Sequence, residues 1–482
     1  MSLRVLSVAS EVFPLVKTGG LADVAGALPR ALERLGVAVS TLLPGYPAVL
    51  KALPHLETVH AASDMFGGPA RLLRARASGL DLLVLDAPHL YARAGGLYAD
   101  ASGRDWPDNA LRFGALARMA AEIGLGRTPL PKPEVVHAHD WQAGLAPAYL
   151  HYAGAKRPGT MITIHNLAFQ GRFEAQVLAP LGLPPEAFHI EGVEYFGGVG
   201  FLKAGLRLAD RITTVSPTYA AEIQRPQAGM GLDGLLRHRA DRLSGILNGI
   251  DTKVWNPAHD PRLPAPFEAA RLDGKMRAKQ ALQQRLGLDL DPQAMVVGVV
   301  SRLSWQKGLD LLLEVLPHLL AGGGQLALLG AGEAALEDAF RRAASDSPGA
   351  VGCAFGYDEG LAHLIQGGSD FILVPSRFEP CGLTQLCALR YGSPPIVTRV
   401  GGLADTVIDA NFVARAAGVA TGIVARDIDA QSLAEALDRA AAIFALPGEM
   451  AQLRRRAMAT EVSWDGPAQA YLRLYQGIAG VS

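Results

Sequence analysis

Cysteine is scarce in this sequence, and an excess of charge of either sign is missing. Three cysteines, Cys353, Cys381 and Cys387, occur among 482 residues, and none of them forms a CxxC pair. This usage argues against a disulfide framework or a cysteine zinc site and is typical of a reducing compartment. The formal net charge of −1 gives no overall electrostatic reason to bind nucleic acid or an anionic membrane.

Long apolar runs and several catalytic motifs are also missing. No stretch approaches about 20 uninterrupted apolar residues, and the N-terminus MSLRVLSVAS has neither a basic region nor a convincing cleavage site. We therefore expect a cytoplasmic protein that begins with a strand. The absence of a P-loop motif and of GxSxG argues against nucleotide hydrolysis by a P-loop and against a serine hydrolase.

Short runs rich in Val, Ile and Leu alternate with longer amphipathic stretches. In the first half these runs include LRVLSVAS, EVVHAHD and MITIHN, and in the second half MVVGVVSR, LALLGAG and DFILVPS. The alternation predicts an α/β protein with parallel sheets that are covered on both faces. A chain of 482 residues favours a division into two domains.

Between residues 241 and 295 the pattern loosens into a stretch rich in Pro, Asn and Asp, which indicates a boundary near Ser244. We predict two doubly wound domains, over residues 1–243 and 244–460, and a last helix within 461–482. Periodicity leaves open whether that helix packs on its own domain or returns to the first. Doubly wound sheets bind ligands at the carboxyl ends of their strands, so we expect an active site in a cleft between the domains.

Two cations follow the strand VVGVVSR of the second domain. Arg302 and Lys307 stand on a short loop before a helix, where charge, backbone donors and the helix dipole favour an anion such as a diphosphate. Lys17, with Gly19 and Gly20, forms a similar loop after the first strand. The alternatives are solvated surface charges in the second domain and a plain turn in the first.

A carboxylate and a run of small residues follow the strand FILVPS. Glu379 precedes Cys381, Gly382, Leu383 and Thr384, which open a helix. Backbone N–H groups there can approach a phosphate. Glu379 can accept hydrogen bonds from sugar hydroxyls or stabilise positive charge at a sugar carbon. The alternative is that Glu379 only interacts with the positive end of the dipole of the helix that follows it.

Histidines end two strands of the first domain. EVVHAHD places His137, His139 and Asp140 at one strand end, and ITIHN places His165 at another. Alternation puts His137 and His139 on one face of their strand, but a third ligand at useful spacing is missing. Polar contacts at the strand ends are therefore favoured over a metal site.

Two further patterns are weak. GAGEAA, from Gly330 onward, fits the dinucleotide fingerprint, but no clear acidic residue ends a following strand at the required distance. DLD at residues 289–291 looks like a metal motif, but its place before Pro292 predicts a turn. Neither pattern supports a dehydrogenase or magnesium-dependent chemistry.

The chain resembles the bacterial glycogen synthases and plant starch synthases over essentially its whole length. The motifs that carry the resemblance are, in order, KTGGLADV, HAHDWQ, TIHNLAFQG, NGID, SRLSWQKGLDLL, SRFEPCGLTQL and GGLADTV. The resemblance implies a GT-B fold, with two Rossmann-like domains around a deep cleft. It also implies retaining transfer of glucose from ADP-glucose to the non-reducing 4-OH of an α-1,4-glucan, with no metal and no cofactor.

The resemblance also implies roles for residues at matching positions. Lys17 would contact the donor, and Arg302 and Lys307 would neutralise the leaving diphosphate, which would remove the need for a divalent metal. The other implied contacts are Glu379, Cys381, Gly382, Leu383 and Thr384 with the donor sugar and phosphate, Asp140 and His165 with the transferred glucose, Tyr98 and Asn248 in the cleft, and Tyr357 on the nucleobase.

One position departs from the wider retaining GT-B pattern, in which a second glutamate holds the ribose. Cys387 stands at that place (379 plus 8), and Asp23 is the candidate for the ribose contact. Another retaining GT-B transferase, with a different donor or acceptor, would be expected to keep the glutamate. A catalytically idle glucan-binding protein would be expected to have lost the motif lysines, arginine or first glutamate, and all of these are present.

The resemblance leaves the mechanism of retention as a hypothesis. With no well-placed nucleophile, we expect a front-face, oxocarbenium-like transfer in which the departing phosphate oxygen helps to deprotonate the acceptor hydroxyl. ADP-glucose rather than UDP-glucose comes from the resemblance alone, and the sequence leaves the oligomeric state open.

The string GGLAD occurs twice, at residues 19–23 and 401–405. Both copies follow a strand and lead toward a helix, where glycines allow a tight turn and a close approach. The first copy follows Lys17 and is interpreted as part of a donor-contact loop. The second has only its glycines to suggest ligand contact and is interpreted mainly as architecture.

Overall fold

The structure is a computed structural model that describes residues 2–154 and 156–479. Its contacts divide the chain into two compact units. Within the described residues, the first unit comprises residues 2–154, 156–248 and 464–479, and the second comprises Gly249–Ser463. None of the helices in these two ranges is long and apolar enough to cross a membrane.

One large sheet organises the first unit. The strands of this unit are β1 (Arg4–Val8), β2 (Ala38–Pro44), β3 (Glu57–Ala62), β4 (Ala70–Ala77), β5 (Leu80–Asp86), β6 (Val135–His139), β7 (Gly159–Ile164), β8 (Arg172–Glu174), β9 (Glu194–Tyr195), β10 (Gly198–Gly200), β11 (Arg211–Thr214) and β12 (Leu243–Gly245). Nine of them form the sheet β12-β11-β7-β6-β1-β2-β5-β4-β3. Pairing is parallel from β12 to β5, and β4 and β3 extend the sheet in antiparallel pairing.

Three short strands of the first unit, β8, β10 and β9, form a separate antiparallel sheet. The helices of this unit, apart from the last helix of the chain, are α1 (Gly20–Arg34), α2 (Pro47–Ala52), α3 (Pro88–Tyr91), α4 (Asn109–Gly124), α5 (Asp140–Ala143), α6 (Ala146–Tyr152), α7 (Phe201–Leu208), α8 (Pro217–Glu222) and α9 (Asp233–His238). In α1, Leu21, Val24, Leu28 and Leu32 are buried. This spacing of three and four residues gives the helix one apolar face for the core.

The second unit contains a six-stranded sheet in which every pair is parallel. Its strands are β13 (Val296–Leu303), β14 (Gln325–Gly332), β15 (Val351–Phe355), β16 (Phe371–Val374), β17 (Pro395–Val397) and β18 (Ile423–Val424). Their order, β15-β14-β13-β16-β17-β18, is the 3-2-1-4-5-6 order of a Rossmann domain. The strand residues Val297, Val299 and Leu328 are fully buried, as expected in a sheet covered on both faces.

The helices of the second unit alternate with these strands. They are α10 (Asp273–Leu286), α11 (Leu309–Ala321), α12 (Ala334–Asp346), α13 (Glu359–Gly368), α14 (Thr384–Arg390), α15 (Gly401–Thr406), α16 (Phe412–Ala416), α17 (Ala430–Phe444) and α18 (Pro447–Ala459). The glycines of GAGEAA allow β14 to pack closely against β13. A Cβ on Gly330 would lie 2.2 Å from the Ser301 carbonyl oxygen, and one on Gly332 would lie 2.1 Å from the Leu303 carbonyl oxygen. This fingerprint therefore reflects close packing of β14 against β13.

Both large sheets reverse their strand order at a central strand. In the first unit β1 lies between β6 and β2, and in the second β13 lies between β16 and β14. Connections that leave the two strands at such a switch point run to opposite sides of the sheet and open a crevice at the carboxyl ends. The chain segments that follow β1, β6, β13 and β16 therefore border the two crevices.

The last helix, α19 (Asp465–Ile478), belongs to the first unit. Its buried Tyr471 and Tyr475 share a core cluster with Leu32, and the Tyr475 hydroxyl lies 2.7 Å from His137 Nδ1. The first unit also extends past residue 243, because β12 pairs with β11 in its sheet. The unit is consequently built from both ends of the chain.

Candidate active site

A lysine and a glutamate from two strand ends form an ion pair at the crevice of the second unit. Lys307 ends a 3-10 turn that follows β13, and Glu379 lies in the loop after β16. Lys307 Nζ and Glu379 Oε2 are 2.5 Å apart, and the Glu379 side chain is only 8% exposed. Ser376 Oγ donates a hydrogen bond of 2.8 Å to the same oxygen. Two donors therefore fix this carboxylate at the mouth of the sheet.

Arg377 joins the two loops that carry this ion pair. Its guanidinium donates two hydrogen bonds of 2.6 Å to the carboxylate of Asp310 and one of 2.8 Å to the carbonyl of Trp305. A bidentate arginine–carboxylate pair fixes direction as well as distance. Gly308 permits the two loops to approach each other closely, because its φ is +66° and a Cβ there would lie 2.0 Å from the Pro375 carbonyl oxygen.

A small pocket of about 60 Å³ opens beside the ion pair. Its lining includes Ser301, Lys307, Glu379, Gly382, Leu383 and Thr384. Gly382 has a φ of +73°, which glycine adopts without strain. The N–H groups of Gly382 and Leu383 form no hydrogen bond within the described part of the chain. Unused amide donors beside a lysine form a cradle for an anion.

Two predicted residues of the second unit are exposed near the strand ends. Arg302, in the last part of β13, is exposed and forms no ion pair or hydrogen bond through its side chain with the residues that the structure describes. Tyr357, just after β15, is 77% exposed, and its hydroxyl lies 3.3 Å from the Glu359 carboxylate. An exposed cation can take an anion, and an exposed aromatic ring can stack on a planar base.

In the first unit, the loop after β1 holds the first GGLAD string. Lys17 Nζ and Asp23 Oδ1 are 2.8 Å apart, and their side chains are 34% and 27% exposed. The candidate for the ribose contact is thus the partner of the predicted donor-binding lysine. A Cβ on Gly19 would meet no heavy atom within 4 Å, and Gly20 begins α1. The loop surface is therefore open at Gly19.

Glu11, which was not among the residues predicted from the sequence, shapes this loop. The carboxylate is 3% exposed and accepts hydrogen bonds from Thr18 Oγ1 at 2.8 Å, from the Gly19 N–H at 3.3 Å and from the Tyr98 hydroxyl at 2.7 Å. Burial, followed by the charge of Glu11, raises the pKa of Tyr98 well above its usual value. A carboxylate just after the buried run LRVLSVAS was the signal that could have identified Glu11.

Asp140 and His165 meet at the carboxyl ends of β6 and β7. Asp140 has a φ of +53°, in the left-handed region that aspartate tolerates better than most residues. Its Oδ1 accepts a hydrogen bond of 2.7 Å from the His165 N–H. Burial raises the pKa of Asp140 to about 7, against the opposing effect of hydrogen bonds from the His165 and Asn166 backbone. The structure therefore brings these two predicted residues together.

The histidines beside them form a buried hydrogen-bonded row. His139 lies 3.1 Å from Ser7 Oγ and 3.0 Å from His165 Nε2, and His137 lies 2.6 Å from Thr163 Oγ1. Burial lowers the pKa of all three imidazoles, that of His139 to about 3. They are therefore neutral hydrogen-bonding groups. Across the described ranges, no group of three or more His, Cys, Asp and Glu is arranged to hold a metal ion.

The remaining predicted positions lie apart from these clusters. Asn248 is the last residue of the first unit. Cys387 is 4% exposed in α14 and belongs to an apolar cluster with Ile250 and Leu389, so it contributes to packing. Apart from these positions and Tyr357, which follows the edge strand β15, the predicted site residues form two groups, one in each unit.

These groups and the two sheets define the class of the protein. A Rossmann sheet with an anion cradle at its switch point, after a first α/β unit of similar strand order, is the plan of a GT-B glycosyltransferase. Residues 4–238 match the family model described as the starch synthase catalytic domain, and residues 282–452 match glycosyl transferases group 1.

Similar proteins match the chain over nearly its whole length. Glycogen synthases of Rhodopseudomonas palustris (strain ATCC BAA-98 / CGA009) and Methylocella silvestris are 61% and 58% identical over 477 and 476 residues, 99% of each chain. The catalytic domain of starch synthase IV from Arabidopsis thaliana, bound to ADP and acarbose, has a TM-score of 0.91 and 32% identity over 99% of this chain and 100% of that chain. The chain belongs to the glycogen and starch synthase family of glycosyltransferases, which confirms the resemblance and the fold class predicted from the sequence.

Replacing Asp140 with asparagine should change how the stability of the protein depends on pH. The folded-state pKa of about 7 lies above the ordinary value of 3.8, so the folded state holds the proton more tightly than the unfolded state. Ionisation of this buried carboxyl therefore lowers stability as the pH rises from about 4 to about 7. Asparagine adopts the same backbone conformation and has no charge to bury.

Thermal unfolding of both proteins across this pH range tests the prediction. We expect the Tm of D140N to gain on that of the wild type as the pH rises, with most of the gain complete near pH 7. Asp64→Asn, at an exposed position of the same unit, is the matched control and should follow the wild type. Parallel pH profiles for wild type and D140N would contradict the buried, protonated state of Asp140.

Proposed function

We propose that the protein transfers glucose from ADP-glucose to the non-reducing 4-OH of an α-1,4-glucan such as glycogen, with retention at the anomeric carbon. The observation that carries the proposal is the anion cradle at the switch point of the second unit, where Lys307 and Glu379 lie beside the amides of Gly382 and Leu383. Support for the donor comes from the ADP bound to starch synthase IV. Support for the product comes from the glycogen synthases that match the full chain.

In this proposal the cations of the second unit neutralise the diphosphate as the bond to the sugar breaks. Arg302 is exposed, so its guanidinium can reach an anion in solution. Lys307 is held by Glu379, and a diphosphate can replace that carboxylate as its partner, which frees Glu379 to accept hydrogen bonds from the glucose. Fixed cations can supply the charge that a divalent metal would bring, and we propose that the reaction needs neither a metal nor a cofactor.

The first unit would supply a further cation and the polar groups around the glucose. Lys17 would exchange its partner Asp23 for a donor oxygen. Asp140 and the neutral imidazole of His165 would contact hydroxyls of the transferred glucose, and Tyr357 of the second unit would stack on the adenine. The substrate contacts implied for Tyr98 and Asn248, and the cytoplasmic location expected from the sequence, stay predictions.

Retention is proposed to proceed on one face of the sugar. The bond between C1 and the diphosphate oxygen breaks, the bond between C1 and the acceptor O4 forms, and the acceptor proton passes to the departing phosphate oxygen. In this proposal Glu379 accepts hydrogen bonds, from Ser376 and from the glucose, and forms no bond to C1. Mass spectrometry of the enzyme trapped during turnover should show no glucosyl adduct on a side chain, and a stable adduct would contradict this mechanism.

Transfer of labelled glucose to glycogen tests the reaction and the donor. We expect incorporation from ADP-[¹⁴C]glucose to exceed incorporation from UDP-[¹⁴C]glucose, because ADP is the nucleotide held by the related starch synthase. A preference for UDP-glucose would overturn the donor assignment alone. Failure to incorporate label from either donor would overturn the synthase proposal.

Removal of the proposed donor contacts should slow the reaction without unfolding the protein. We expect Lys17→Ala and Glu379→Ala each to lower kcat/KM by about 100-fold or more, the loss that follows removal of a single group that stabilises transition-state charge. Lys51→Ala, at an exposed lysine in the last turn of α2, should keep parent activity. Initial rates with ADP-glucose, with circular dichroism as the folding check, measure the effect, and near-normal rates in K17A or E379A would contradict the assigned roles.

A further inference from the structure

The loop between β16 and α14 needs a support that keeps its amides turned toward the pocket. This loop, residues 375–383, carries Glu379 and the amide donors of Gly382 and Leu383. An isolated loop would lose its anion cradle when its peptide groups rotate, since each flip replaces a donor by a carbonyl oxygen. The hydrogen bonds behind the loop show which groups prevent that rotation.

Gln385, in the first turn of α14, holds two carbonyl groups of the loop. Its side chain is fully buried, and its Nε2 donates hydrogen bonds of 2.9 Å to the Cys381 carbonyl and 2.9 Å to the Gly382 carbonyl. Both partners are pure acceptors, so they fix the orientation of the amide with its nitrogen toward the loop. A Cβ on Gly382 would lie 2.3 Å from Gln385 Oε1, so the glycine permits this close contact.

The second GGLAD string holds the two preceding carbonyls. The Gly402 N–H donates hydrogen bonds of 3.0 Å to the Glu379 carbonyl and 3.2 Å to the Pro380 carbonyl. The fit is close, because a Cβ on Gly402 would lie 2.1 Å from the Cys381 carbonyl oxygen and one on Gly401 would lie 2.0 Å from that of Glu379. Four successive carbonyls, at positions 379 to 382, are therefore bonded from behind the loop.

The trans peptide geometry converts this arrangement into a direction for the amides. In a trans peptide the C=O of one residue and the N–H of the next point in opposite directions, and the cis bond found in the described ranges is Phe13–Pro14, far from this loop. Holding the carbonyls of Cys381 and Gly382 inward therefore turns the N–H groups of Gly382 and Leu383 outward, toward the pocket that these residues line.

Thr406 connects the two supports. Its hydroxyl donates a hydrogen bond of 2.6 Å to the Gly402 carbonyl and accepts one of 3.2 Å from Gln385 Nε2. The order of donors is thus Gln385 to Thr406 to Gly402, and from the Gly402 N–H back to the loop. Such a connected set of hydrogen bonds resists rotation of any single member.

We propose that Gln385 is a positioning residue that, with Thr406 and with Gly402 of the second GGLAD string, aims the Gly382 and Leu383 amides at the diphosphate of the donor. The inference rests on the proposed function for the identity of the anion. It gives the second GGLAD string a part in the reaction without contact to the substrate. It also makes the affinity for ADP depend on a side chain that faces away from the pocket.

The isosteric variant Gln385→Glu tests the proposal. A glutamate keeps the shape of the side chain but turns an acceptor oxygen toward the Cys381 and Gly382 carbonyls. We expect the Kd for ADP, measured by calorimetry, and the KM for ADP-glucose to rise together, and kcat/KM to fall by about 10-fold to 100-fold, the range that follows loss of an outer-shell partner at other tightly held sites. A role in stability alone would leave the affinity of the folded protein for ADP unchanged.

Gln283→Glu is the matched control. Gln283 is also a buried glutamine of the second unit, and its Nε2 donates to the Asp291 carbonyl and to Gln325 Oε1 at 2.9 Å each. These partners lie before β13 and at the start of β14. They are therefore at the amino ends of the strands, whereas the pocket lies at the carboxyl ends. Q283E should lose a similar amount of stability and keep the parent affinity for ADP.

Variants of Thr406 provide the second test, which holds if Q385E fails to fold. Thr406→Ser keeps the hydroxyl and should bind ADP like the parent, whereas Thr406→Val removes it and should bind ADP several-fold more weakly. Parent-like ADP affinity in folded Q385E, or in T406V where Q385E does not fold, would overturn the positioning role. A parent protein that binds ADP but transfers no glucose would overturn the proposed function and leave the positioning role standing, and a parent that does not bind ADP would overturn both.

Discussion

The carboxyl-end switch point of a parallel sheet is the constraint on which both groups of site residues depend. At β1 and β6, and again at β13 and β16, the chain leaves neighbouring strands toward opposite sides. The residues that follow such strands border the crevice at the switch point. Lys17, Asp140, Lys307 and Glu379 come from four separate segments of the chain, and each of them follows one of these four strands.

Buried polar groups are stabilised differently in the two crevices. In the first unit, burial keeps His137, His139 and His165 neutral and raises the pKa of Asp140 to about 7, so the network is held by hydrogen bonds rather than by charge. In the second unit, Lys307 and Glu379 stay paired at 2.5 Å. An anion that binds to Lys307 would compete with the carboxylate of Glu379. The row of histidines and Asp140 instead offers groups whose charges burial suppresses.

Local patterns predicted the strands, their parallel pairing and the residues at their ends, because period and apolar content are set by near neighbours. They could not predict contacts between distant segments. The bond from Tyr475 to His137 spans 338 positions, and neither residue shows it in its own stretch. The sequence did not identify Glu11, because a glutamate after a strand is common. Its role depends on the hydroxyl of Tyr98, a residue distant in the chain that donates a hydrogen bond to it. Gln385 looks like an ordinary helix residue until its carbonyl partners are seen.

The two GGLAD strings show why identical residues need not share a task. At Gly19 the space where a Cβ would stand is empty to 4 Å, whereas at Gly401 and Gly402 it is filled by backbone atoms of the loop that carries Glu379. At Gly401 and Gly402 glycine is required because a Cβ would collide with the neighbouring loop, whereas at Gly19 a Cβ would meet open space. The local residues determine the turn, and the segment that packs against the turn determines whether its glycines contact a ligand or another loop. The first string can therefore accept a ligand directly, while the second acts through the loop that it supports.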